Sequence, residues 1–209
     1  MTDNIRGMRT RRWAIGVLAL AAPLGILATF GPWHSDGGDS AASAAVGRAA
    51  PELSGQIARQ TGGTFALSGE RGHAVLLSFL NTQAGASAAG EPSRAQIVFL
   101  KSMNTQNHPH GLRTVIVDSA TVAGLRVPSD DALINFTFDW ALDPSIAVVG
   151  DANGSAERAY GITRLPTTLV IDKHGIVRHR WNGFALAAQL DFAIRPLVGR
   201  ALVGSGPAH

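Results

Sequence analysis

The sequence predicts an α/β domain with a mixed central sheet covered by helices on both faces, preceded by an apolar helix. Three observations carry that expectation. Apolar runs of strand length, residues 75–80 and 112–118, alternate with segments of helical spacing, as parallel β-α-β units require. Residues 161–178, GITRLPTTLVIDKHGIVR, read as a turn, a proline, an apolar strand, a tight turn and a second strand, which adds an antiparallel pair. Residues 13–30 form an 18-residue run without a charge.

The N-terminal elements come first. Residues 1–12 are an arginine-bearing leader, expected on the cytoplasmic side. Residues 13–33 are long enough to cross a bilayer, which needs about 20 apolar residues. Arginines before the run and polar residues after it place the remainder outside the cell membrane. An uncleaved signal anchor is preferred to a cleaved signal peptide, because the nearest small-residue site, Ala42-Ser43-Ala44, lies well beyond Phe30. Residues 34–50, rich in Gly, Ser, Ala and Asp, read as a flexible linker.

The folded domain is expected over residues 51–201, with residues 202–209 as a disordered tail. A loose hairpin is placed around Gly62-Gly63, and the first buried strand at 75–80. A helix carries Ile97, Leu100 and Met103 at helical spacing, and is expected to run back towards Ala84 with Pro92 as a kink. The second buried strand is 112–118. Ser129-Asp130-Asp131 caps a second helix, with acids in its first turn. A short strand at 146–149, a short helix from Asn153-Gly154-Ser155 to Tyr160 and the proline hairpin follow. Pro166 cannot donate to a ladder and so precedes its strand. Residues 185–198 close the chain as an amphipathic helix with Leu186, Leu190, Ile194 and Leu197 on one side.

Charge and composition remove several function classes. The pI of about 10.2 reflects the leader: Arg6, Arg9, Arg11 and Arg12 against Asp3 account for the whole net charge of +3, and the body is balanced. A neutral body without a basic stripe argues against nucleic-acid binding. There are no cysteines, so disulfides, thiolate nucleophiles, cysteine-ligated zinc and iron–sulfur clusters are all excluded.

Residues 75–87, followed by the helix, resemble the first strand and active-site helix of thioredoxin-fold proteins. Tyr160-Gly161-Ile162, then residues 165–172, Gly175-Ile176-Val177 and Gly183 are similar to the cis-proline segment and hairpin of that fold. The likeness is to membrane-tethered thiol–disulfide oxidoreductases of the TlpA/ResA type and their redoxin relatives, and it covers about residues 51–200. The resemblance implies a thioredoxin-like fold and a peptide-docking groove with backbone edges at residues 165–167. It places Phe79 and Thr82 on the family's motif, Gln83 at its tryptophan, and Ala84 and Ser87 at its two cysteines. Thiol–disulfide exchange needs a thiolate at a helix N-terminus. Neither alanine nor serine supplies one.

Other candidates have simpler explanations. His108-Pro109-His110 reads as an exposed loop, not a metal pair, and His73, His174 and His179 read as surface residues. Asp130, Asp131, Asp139 and Asp143 read as caps and solvated faces. Trp140 and Trp181 are expected to be core. Gly62, Gly63, Gly85 and Gly90 lack phosphate-loop spacing. No cofactor and no metal are expected. The expected function is a membrane-tethered, extracytoplasmic binding or assembly factor, redox-inactive, that holds an unidentified protein or peptide in a groove of Thr82, Gln83, Leu165, Pro166 and Thr167. The alternative is an oxidoreductase or antioxidant redoxin that works with cysteines supplied by a partner.

Overall fold

The computed structural model describes residues 44–59, 62–83, 92–122 and 124–199. The leader, the apolar run 13–33, residues 34–43, the proposed cysteine positions Ala84 and Ser87 and the tail lie outside them. Among the described residues no helix is long and apolar enough to cross a membrane.

The strands are β1 (Ser54–Gln56), β2 (Thr64–Ala66), β3 (Ala74–Leu80), β4 (Leu112–Asp118), β5 (Ile146–Gly150), β6 (Thr167–Ile171) and β7 (Val177–Asn182). The helices are α1 (Pro92–Asn107), α2 (Asp130–Asp139), α3 (Ser155–Tyr160) and α4 (Ala187–Ile194). The main sheet has the order β5-β4-β3-β6-β7, with β3, β4 and β5 parallel and β6 and β7 antiparallel to their neighbours. This is the mixed sheet that alternating strands and helices followed by a hairpin require.

Alternation along β3 explains how one strand serves two cores. Val75, Leu77 and Phe79 face a cluster with Val117, Tyr160 and Leu169, whereas Leu76 and Leu80 face Ile97, Leu100 and Leu190. The polar break in that run is satisfied across the sheet, where the Ser78 and Thr168 hydroxyls lie 2.8 Å apart.

Both sheet edges are covered by chain that precedes β3. The β1–β2 hairpin continues into Ile57, bridged to Val149, and the Ala58 N–H donates to Val148 C=O at 2.8 Å. Gly55 makes that approach possible: a Cβ there would lie 2.5 Å from Val149 Cγ1. On the other edge, Gly47 N–H donates to Val177 C=O (2.8 Å) and Val177 N–H to Arg48 C=O (2.9 Å). Ala44 is fully buried, so residues expected to be linker, ahead of residue 51, pack on the domain. The small residues 44–50 resemble a linker in composition, but they are small because they lie against the sheet.

Two further expectations are corrected. The last helix is shorter than expected: Leu186 is its extended N-cap residue, 53% exposed, and Pro196 cannot continue its ladder. Its N-terminus is held by Gln189 Oε1, which accepts the Leu186 N–H at 2.8 Å. α1 is described from Pro92, and the expected extension through residues 84–91 lies outside the described residues. His73 is half-buried and not a surface residue: Arg113 Nη2 lies 3.1 Å from its Nε2, and its Nδ1 is sealed from solvent. Ser129 caps α2 as expected, its Oγ accepting the Ala132 N–H at 3.3 Å.

The β6–β7 turn depends on one carboxylate. Asp172 Oδ1 accepts the N–H groups of His174 and Ile176, both at 2.9 Å, while Oδ2 accepts Arg178 Nε at 2.7 Å. Gly175 supplies the positive φ of +77°. Burial by itself would raise the Asp172 pKa, but the Ile176 N–H, Arg178 and the His174 N–H outweigh it and hold it below the usual value. The ionised form is therefore favoured by folding. Its contribution is complete above the ordinary carboxylate pKa of about 3.9 and is lost as pH falls through the lower folded value. Asp172→Asn is expected to cost about 2–3 kcal/mol at pH 7, because charged hydrogen bonds in a buried turn are lost. Urea midpoints should show that difference shrinking below pH 4.

Candidate functional site

The C-terminal ends of β3 and β4 and the start of β6 meet at one corner of the sheet. Parallel pairing ends with Leu80 opposite Asp118, and antiparallel pairing begins with Phe79 opposite Thr167. That register carries Leu165 and Pro166 past the end of β3, on the side where residues 81–83 leave it. Topology alone thus brings together two segments more than eighty residues apart.

Residues 81–83 are held on three sides. Asn81 N–H donates to Ser93 Oγ of α1 at 3.2 Å. Thr82 donates twice to Asp118 Oδ1, from its hydroxyl at 2.5 Å and its N–H at 3.2 Å. Gln83 Nε2 donates to Arg126 C=O at 2.6 Å, and its N–H to Asn81 Oδ1 at 3.0 Å. Thr82 and Gln83 are thus placed by fixed partners, with Gln83 exposed.

On the facing segment the Leu165–Pro166 peptide is cis. Pro166 is buried, and its carbonyl accepts the Gly183 N–H at 2.7 Å. Thr167 is fully buried, and its hydroxyl donates to Arg164 C=O at 2.6 Å, closing the preceding turn. Thr167 thus shapes the segment from beneath. Leu165 is half-buried against the cluster that contains Phe79.

Two carboxylates that sequence reasoning passed over organise this corner. Asp118 is 1% exposed, and burial raises its pKa despite the Thr82 hydroxyl, the Thr82 N–H and the Ala120 N–H, with Glu157 adding to the rise. Glu157 of α3 is 5% exposed and accepts the Thr121 hydroxyl and, at 3.3 Å, the Val122 N–H. One carboxylate holds the loop after β3 and the other the loop after β4. The available signal was an aspartate closing an otherwise apolar run, Val115-Ile116-Val117-Asp118.

The chemistry of the corner follows from its residue types. The chain has no thiol. A serine nucleophile would need a base, and the described histidines lie elsewhere. His73, His108 and His110 precede the N-terminal ends of β3 and β4, and His174 sits in the turn beyond Ile171, which pairs with Val75. His179 is opposite Val170, midway along β7, with its ring stacked on Trp181 at 5.6 Å. His108 Nδ1 lies 3.1 Å from Leu112 C=O within its own turn. Among the described residues no cluster of three His, Asp or Glu side chains could hold a metal ion. Trp140 and Trp181 are half-buried, packed at the margin of the second core.

The fold is shared with known proteins. A putatively named thiol:disulfide interchange protein DsbE from Chlorobium tepidum is 26% identical, with a TM-score of 0.59, over 75% of this chain and 100% of that one. The exposed lipoprotein thioredoxin of Streptococcus pneumoniae is 20% identical, with a TM-score of 0.55, over 70% of this chain and all of its own. A secreted thiol-disulfide isomerase from Corynebacterium glutamicum is 20% identical, with a TM-score of 0.58, over 71% of this chain and 84% of its own. No curated protein matches the chain. The Redoxin family model matches residues 45–189. The chain belongs to the Redoxin family, whose thiol–disulfide oxidoreductase relatives it resembles without a cysteine of its own.

Proposed function

We propose that this protein is a membrane-tethered, extracytoplasmic member of the Redoxin family that binds an extended segment of a partner protein and performs no thiol chemistry of its own. The observation that carries the reading is the survival of a built corner in a chain without a thiol. Thr82, Gln83, Leu165 and Pro166 are positioned by Asp118, Arg126 and Gly183. Among the described residues, the backbone N–H and C=O of Leu165 have no partner, which suits pairing with an added strand. The extracytoplasmic placement is supported by the charge asymmetry around residues 13–33, and by the lipoprotein and secreted character of two similar proteins.

The test restores the missing chemistry. With Ala84→Cys and Ser87→Cys together, the chain is expected to gain dithiol-dependent disulfide reduction, because a thiolate would then face a groove that still docks its substrate. A folded double variant without such activity would argue against both the groove and the placement of the two lost positions.

A further inference from the structure

The corner separates its charges by depth. Its carboxylates, Asp118 and Glu157, are buried and accept the Thr82 and Thr121 hydroxyls. Its exposed charges are guanidiniums. Arg126 and Arg164 are both exposed, and each is tied to the corner through its backbone. The Arg126 C=O accepts Gln83 Nε2 at 2.6 Å, and the Arg164 C=O accepts the Thr167 hydroxyl at 2.6 Å. One arginine therefore stands beside the loop after β3, and the other immediately before Leu165 on the facing segment.

Among the described residues, neither of these guanidiniums has a hydrogen bond or an ion pair. The arginines of the neighbouring α3 side are engaged: Arg158 Nη1 donates to Asn153 C=O at 3.0 Å, and Arg180 donates to Tyr160 and Gly161 C=O. The acids that follow Arg126 most closely, Asp130 and Asp131, lie in the first turn of α2, where free helix N–H groups favour them. Since acidic and basic residues balance over residues 13–209, the free positive charge at the corner is local and not a by-product of net charge. Unpaired guanidiniums at a recognition edge select carboxylates, with which they make paired, charge-assisted hydrogen bonds. Strand pairing makes that selection positional. In an extended segment that takes the free N–H and C=O of Leu165, the next residue falls directly opposite Arg164. Arg126 meets the same segment from the Gln83 side.

We propose that the partner segment bound at this corner is acidic, with one carboxylate beside the residue that pairs with Leu165 and a second held by Arg126. The inference rests on the binding function proposed above, and the experiment separates the two. The probes are three blocked peptides: acetyl-Thr-Val-Glu-Val-Glu-Val-Thr-amide and its counterparts with both Glu replaced by Gln or by Lys. Calorimetric titration measures their binding to the purified full chain in an uncharged detergent. The same titrations are run on the chain with Arg126→Gln and Arg164→Gln together. Both side chains are exposed and unpaired, so the double variant keeps the fold.

The Glu peptide should bind at least about threefold tighter than the Gln peptide, the effect expected of two cross-strand charge pairs. The Lys peptide should bind most weakly. The Glu-over-Gln preference should vanish in the double variant. It should also shrink between about 0.01 M and about 1 M salt, as the Debye length drops from about 30 Å to about 3 Å. Equal binding of the Glu and Gln peptides overturns the acidic partner and leaves the groove intact. A Glu preference that survives both substitutions assigns the charge recognition to other residues and overturns the inference. Failure of all three peptides to bind at millimolar concentration overturns the groove, and the inference with it.

Discussion

Phe79→Ala should destabilise the domain by about 3–5 kcal/mol, the usual cost of truncating a buried aromatic residue. Phe79 is fully buried near the end of β3, with its ring 5.1 Å from that of Tyr160 and tilted by 49°. Tyr160 in turn donates its hydroxyl to Pro51 C=O at 2.6 Å, so the two rings join β3, α3 and the chain ahead of β1. Leu165 packs against the same cluster. Urea unfolding monitored by circular dichroism measures the loss. The expected result is a lower midpoint with an unchanged slope, because the surface exposed on unfolding stays the same. A loss below about 1 kcal/mol would mean that the site collapses to fill the cavity, contrary to the close packing of both neighbours.

Arg180→Ala should cost about 2–4 kcal/mol, through hydrogen bonds and not cavity formation. The guanidinium is half-buried and donates to Tyr160 C=O at 2.7 Å, Gly161 C=O at 3.0 Å, Ala44 C=O and Asn182 Oδ1. The first two carbonyls end α3, where positive charge is favourable and no intrahelical partner remains. Arg180→Lys should lose less than alanine but still measurably, since a point donor cannot span four acceptors in fixed directions. Trypsin gives a second readout: cleavage after the exposed Arg48 should accelerate in Arg180→Ala, because the segment 44–50 loses one of its ties to β7. Unchanged cleavage would show that the Gly47, Arg48 and Ala50 backbone bonds hold that edge alone.

The fold was largely legible because its strands are buried on both faces. Runs such as residues 75–80 and 112–118 have few alternatives in a soluble domain, and Ser129 and Gly175 mark an end and a turn by chemistry that sequence displays. The packing of residues 44–50 on the sheet was hidden, because alanine and glycine suit a loose linker and a strand-edge cover equally well. The length of α4 was overestimated because Leu186 fits the periodicity of a helix that begins only after it. At the site, the proline segment could be recognised directly. Asp118, Glu157 and Arg180 could not, since their main partners lie 35 or 36 residues away, or on carbonyls that a sequence does not reveal. The same holds for His73, whose burial depends on Arg113 from the neighbouring strand.

The corner also shows how a family scaffold can outlast its chemistry. Hydrogen bonds from Asn81, Thr82 and Gln83 fix the loop after β3 without using the side chains at positions 84 and 87. Residues 81–83 are therefore placed by hydrogen bonds that involve no thiol.

The central claim is that this chain binds without thiol chemistry. Its most direct test incubates the purified, unaltered full chain with a disulfide-bonded protein plus reductant, and separately with hydrogen peroxide. Neither disulfide reduction nor peroxide consumption should exceed the rate without protein. Turnover proportional to chain concentration would contradict the account and place a redox function in residues other than cysteine.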